Sequence, residues 1–123
     1  MSDYNYVTVS NWFQATSEEE LRKAVENILR YDDIEVKITD DNKKLFKLSF
    51  NGCFSEDNEE DYSYNDLIEN FQKILPEGEV LTIFVSGHEK LRYVDCSVTV
   101  ITNKKYKTKS LYDMAKSITK DLL

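Results

Sequence analysis

The sequence predicts an α+β domain: a mostly antiparallel sheet with helices on one face, in the order β-α-β-β-α-β-β-α. Three observations carry that expectation. Three segments repeat apolar residues at helical spacing, each behind a Ser-led cap. The remaining apolar runs come in pairs joined by short polar turns, which favours hairpins over parallel crossovers. A shift of 46 residues then lays one helix-hairpin unit over the next.

The first element is a strand over Tyr4 to Phe13, because YNYVTVSNWF is rich in β-branched and aromatic residues. A helix follows. Ser17 and Glu20 form a Ser-x-x-Glu capping box, Glu18 and Glu19 place negative charge in the first turn, and Leu21, Ala24, Val25, Ile28 and Leu29 share a face. Ile34, Val36 and Ile38 alternate with Glu35, Lys37 and Thr39 as in a half-buried strand. Asp40-Asp41-Asn42 then turns the chain into Leu45 to Phe50, where Leu48 and Phe50 oppose Lys47 and Ser49. Asn51 to Asp66 has no period and reads as a loop.

Ser63 caps a second helix with Asp66 as its partner, Leu67, Ile68, Phe71, Ile74 and Leu75 form its apolar face, and Pro76 and Gly78 end it. Val80 to Val85 is apolar on both faces, which predicts a central strand, with Gly87 as the turn into a partner strand over Leu91 to Thr102. The uncovered face of the sheet is expected to carry Leu81, Ile83 and Val85, and Phe84 is expected in the core. Lys104, Lys105, Lys107 and Lys109 form a basic connection. Ser110, with Asp113 three residues on, starts a last helix whose apolar positions are Leu111, Met114, Ala115, Ile118 and Leu122.

The 46-residue shift pairs Leu21 with Leu67, Val25 with Phe71, Ile28 with Ile74, Leu29 with Leu75, Ile34 with Val80, Ile38 with Phe84, Leu45 with Leu91, Leu48 with Val94 and Phe50 with Cys96. A tandem αββ repeat, or two similar units that align on their hydrophobic positions, both give this pattern. One domain is expected over 1–123, with units at about 17–50 and 63–102 and a terminal helix at 110–122.

Charge bounds the partners. The 123 residues carry 23 Asp and Glu against 16 Lys and Arg, a formal net charge of −7, so direct nucleic-acid binding through counterion release is not expected. The hydrophobic fraction of 41% is too high for an acidic disordered chain, and no apolar run approaches the ~20 residues that span a bilayer. No leader pattern is visible in Met1 to Thr8, and the expected location is cytoplasmic.

Chemical motifs are scarce, and no enzyme activity or cofactor is expected. A general base needs a positioned partner, and His88, the one histidine, stands alone in Ser86-Gly87-His88-Glu89-Lys90. Cys53 and Cys96 have no neighbours at metal-ligand spacing, so no metal is expected, and both are read as reduced apolar side chains, Cys96 in the sheet core. The acidic loop fails the EF-hand test, since the sixth and twelfth positions counted from Asp57 are Tyr62 and Ile68. Gly52, Gly78 and Gly87 are isolated, so no phosphate-cradling loop exists.

A surface argument remains. Glu56, Asp57, Glu59, Glu60 and Asp61, followed by Tyr62 and Tyr64, join a dense negative field to rigid aromatic contact area. Closely spaced carboxylates can imitate a phosphate backbone in an Arg- and Lys-lined groove. The expected function is therefore a small acidic interaction protein, an inhibitor occupying the basic nucleic-acid-binding surface of a partner protein, with those seven residues as its contact. In general character the chain is similar to anti-CRISPR, DNA-mimic antirestriction and toxin-immunity proteins. That likeness is compositional and carries no residue roles. The alternative is a small-ligand-binding domain or enzyme with a pocket around His88, Tyr93 and Cys96.

Overall fold

The computed structural model describes residues 4–26, 29–52, 64–89 and 93–123. Six strands form one antiparallel sheet: β1 (Tyr4–Ser10), β2 (Ile34–Ile38), β3 (Lys44–Asn51), β4 (Leu81–Glu89), β5 (Tyr93–Ile101) and β6 (Tyr106–Ser110). Their spatial order is β2-β3-β1-β4-β5-β6. Three helices accompany them, α1 (Glu18–Val25), α2 (Tyr64–Ile74) and α3 (Leu111–Leu122), with a 3-10 turn at Tyr31–Asp33. The expected α+β class and the expected element order hold, with one strand added.

That sixth strand corrects the basic connection. Tyr106–Ser110 pairs with β5, Thr99 opposite Thr108 and Ile101 opposite Tyr106, which puts Lys107 and Lys109 on one face of an edge strand. Lysine on an edge discourages pairing with further chains, so the same residues that look like a solvated tract serve as a strand boundary.

Register fixes what each face carries. Thr8 opposes Phe50 and Val85, Ser10 opposes Ile83, and Leu81 opposes Ile101. This face is covered by α1 and α2, and the core between them holds Phe13, Leu21, Val25, Phe46, Leu48, Leu67, Ile68, Phe71, Leu81, Ile83 and Ile101, each at most 1% exposed. The apolar face expected for α2 is thus buried throughout. Leu81 and Ile83 lie on this covered face and Phe84 does not: it is 51% exposed on the opposite face, which reverses the expected orientation of β4. A strand apolar at nearly every position gives no period from which to choose a face.

Gly87 is a second correction. It lies inside β4 opposite Tyr6, and a Cβ there would overlap the Tyr6 ring, so a close approach and not a turn requires glycine. The turn expected at Asn42 is present. Asn42 takes φ 64°, the left-handed region that asparagine tolerates, and its N–H donates to the Thr39 carbonyl at 2.9 Å.

The 46-residue alignment separates at the strands. Leu21 and Leu67, and Val25 and Phe71, are all buried in the helix layer. The hairpins are out of phase: Phe50 packs against the core, whereas Cys96 lies opposite Ser86 on the other face. A one-residue offset inverts the faces of a strand. Position in the sheet also differs, because β1 pairs with the second strand of one hairpin and the first strand of the other.

Side chains complete the ladders where strands diverge. Ser10 Oγ accepts from the Leu48 N–H at 2.8 Å and donates to the Asn11 carbonyl at 2.8 Å, substituting for backbone partners where β1 leaves β3. Asn11 then spans β4, with Nδ2 donating to Val80 O at 3.0 Å and Oδ1 accepting from Thr82 N at 2.8 Å. Among the described residues no buried side-chain polar atom lacks a partner.

Glu18 ties the start of α1 to the sheet. Its carboxylate accepts from Lys44 Nζ on β3 at 2.8 Å and from Arg22 Nε at 3.0 Å. The Lys44 hydrogen bond first, and then that of Arg22, hold the Glu18 carboxyl below its ordinary value of 4.5. A carboxylate whose folded pKa is depressed adds stability that is complete above its unfolded value and is lost as pH falls through the folded value. Glu18→Gln is therefore expected to flatten the acid limb of stability below pH 4.5, while costing under ~1 kcal/mol near neutrality because the pair is solvated. Urea midpoints measured from pH 2.5 to 7 check this, and parallel curves for the two proteins would contradict it.

Candidate functional site

Of the seven expected contact residues, Glu56, Asp57, Glu59, Glu60, Asp61 and Tyr62 lie outside the described residues, and Tyr64 opens α2. In the helix layer α1 and α2 pack together through Leu21, Val25, Leu67 and Phe71, leaving their outer faces to solvent. Glu19, Glu20 and Glu26 on the α1 side and Asp66 and Glu69 on α2 are exposed, against exposed Lys23 and Lys73. The amphipathic pattern causes this directly, since the apolar stripe faces the sheet and the carboxylates face out.

A shallow groove of about 360 Å³ runs between the two helices, lined by Glu20, Lys23, Ala24, Glu26, Asn70, Lys73 and Ile74. A larger open groove of about 700 Å³ lies between α1 and the 3-10 turn, with Glu19, Arg22, Glu26, Arg30 and Tyr31 on its walls. The Arg22 guanidinium stacks 3.9 Å over the Tyr31 ring and donates to the Tyr31 carbonyl at 3.2 Å. That cation-π contact fixes both side chains in one wall of the groove. Nothing in sequence spacing announces it, because the partners come from a helix and a turn nine residues apart.

Of the pocket expected around His88, Tyr93 and Cys96, the side chains of His88 and Tyr93 lie outside the described residues. Cys96 is half-buried on the face away from the helices, with its thiol 3.7 Å from Ser86 Oγ, and so stands outside the core to which it was expected to belong. Its neighbour there is a hydroxyl.

Among the described residues no group of three or more His, Cys, Asp or Glu side chains converges to hold a metal ion. No helix among them is long and apolar enough to cross a membrane.

The side of the sheet away from α1 and α2 carries other residues than the Leu81, Ile83 and Val85 expected there. Its strands alternate so that Val7 and Val9 of β1, Phe84 of β4, and Val98 and Val100 of β5 lie together, with Lys47 toward one side and Lys107 and Lys109 toward the other. Val7 is 44% exposed, Phe84 51% and Val100 38%. Trp12 sits at the Lys47 end, its ring 5.0 Å from Lys37 Nζ and 5.8 Å from Lys47 Nζ. The molecule thus presents carboxylates outward from its helices and lysines around an apolar strip on its bare sheet. No family model matches the chain, and no curated protein or solved structure matches it either.

Proposed function

We propose that this is a small acidic interaction protein that inhibits a partner by occupying its basic, nucleic-acid-binding surface. The observation that carries this reading is continuity. Glu56, Asp57, Glu59, Glu60 and Asp61 lead through Tyr62 and Tyr64 into a helix whose outer side, together with α1, adds Glu19, Glu20, Glu26, Asp66 and Glu69. Clustered carboxylates on a rigid two-helix layer can stand in for phosphates, and the tyrosines add contact area with little rotamer entropy to lose. The net charge of −7 steers such a protein toward a cationic groove. The role is binding, without a catalytic step or a cofactor.

Affinity capture from the source organism supplies the partner, and substitution tests the contact. Replacing Glu56, Asp57, Glu59, Glu60 and Asp61 by Ser and Asn is expected to leave the thermal midpoint nearly unchanged, because solvated loop charges add little to stability. The same change is expected to weaken association with the captured protein by at least about tenfold at low salt and to reduce its salt dependence. Undiminished binding by the five-fold variant removes the proposal.

A further inference from the structure

The bare sheet face and the last helix pose the same physical problem from two sides. Val7, Phe84 and Val100 form an exposed apolar strip on one surface. On α3 the residues at helical spacing, Leu111, Ile118 and Leu122, are 41%, 60% and 79% exposed, with Met114 half-buried between them, so among the described residues most of this stripe lies open to solvent. A helix with a uniform apolar stripe and a sheet with an uncovered apolar strip are what α1, α2 and the other face of this sheet are before they pack.

We infer that a second copy of this chain supplies the cover, α3 of each protomer docking on the bare sheet face of the other about a twofold axis. Length agrees. The twelve residues of α3 span about 18 Å, and the four strand spacings from β3 to β6 span about 19 Å, so the helix bridges the apolar strands between the lysine margins. Charge agrees as well. At 100° per residue Asp121 and Tyr112 flank the α3 stripe, while Lys116 and Lys120 fall on its far side, so Lys47, Lys107 and Lys109 of the receiving sheet meet no like charge. The chain's own α3 leaves this need unmet: it starts directly after β6, at Leu111, and its principal contacts are with β6 and β5.

Each contact shadows about 180 Å² of sheet in projection, which over both surfaces and both contacts of the pair comes to about 720 Å², the size of a weak, concentration-dependent association. An isologous exchange of this kind closes on itself and makes a dimer without fibres. It uses the side of the sheet opposite the acidic helices, so it stands independently of the proposed inhibitory contact.

Sedimentation equilibrium of the full chain tests it. The expected mass is twice 14.4 kDa, and Phe84→Lys and Ile118→Lys, both at exposed positions, are each expected to sediment as monomers with unchanged far-ultraviolet circular dichroism. Mixing the two variants is expected to restore a heavier species, because the intact helix of Phe84→Lys fits the intact sheet of Ile118→Lys. A wild-type monomer at every concentration overturns the inference, including one that binds single-stranded DNA or an acidic peptide on this face. So does a dimer that Phe84→Lys disrupts and Ile118→Lys leaves alone, which is the signature of sheet stacking on sheet.

Discussion

Phe71→Ala is expected to cost about 3–5 kcal/mol, the range for removing a buried aromatic ring and leaving its cavity. Phe71 is 0% exposed at the centre of the α1–α2–sheet contact, among Leu21, Leu67 and Ile83, where both helices and the sheet would have to move to fill the space. Chemical denaturation measures the loss directly. Phe84→Ala provides the internal contrast, because the same deletion from the bare face leaves no cavity and is expected to cost under ~1 kcal/mol in a monomer. Equal losses at the two positions would mean that the covered face of the sheet has been assigned wrongly.

Gly87→Val should rank next. A Cβ at residue 87 overlaps the Tyr6 ring, and the two branching methyls deepen the overlap in a central strand held on both sides, by β1 and β5. Overpacking of this kind costs about 1–3 kcal/mol. The cause can be isolated by a double-mutant cycle: with Tyr6→Ala in the background, the space opens and Gly87→Val should cost at least ~1 kcal/mol less than in the parent. Additive losses would place the cost in the backbone instead of the ring.

Much of this architecture is legible in the sequence, and the exceptions have physical causes. The α2 face, the alternation of Leu48 and Phe50 against Lys47 and Ser49, and the Ser110–Asp113 capping box all follow from local periods and caps, and each is present. The orientation of β4 was not legible because Leu81, Ile83 and Phe84 offer apolar groups to both faces. The sixth strand escaped notice although Lys107 and Lys109 alternate with Thr108, since a lysine-rich edge strand has the composition of a loop. For α3 the helix and its apolar positions follow from the period, but the exposure of Leu111, Ile118 and Leu122 does not, since an apolar stripe fixes a face of the helix and not what lies against it.

The candidate site divides the same way. A run of acids such as Glu56 to Asp61 is visible in any sequence, whereas the outward exposure of Glu19, Glu20, Glu26, Asp66 and Glu69 follows from which faces of α1 and α2 are packed. The lysine-bordered strip is less visible still, for its residues come from three different strands and its border from two more, in both halves of the chain. Register, which no local pattern encodes, assembles it.

Competition on the captured partner examines the inhibitory reading at its root. A labelled oligonucleotide bound to that partner is followed by fluorescence anisotropy while this protein is added. Displacement of the oligonucleotide at stoichiometric protein, abolished in the variant neutralised at Glu56, Asp57, Glu59, Glu60 and Asp61, is the predicted result. A stable ternary complex, with the oligonucleotide still bound and the protein alongside it, would contradict the account.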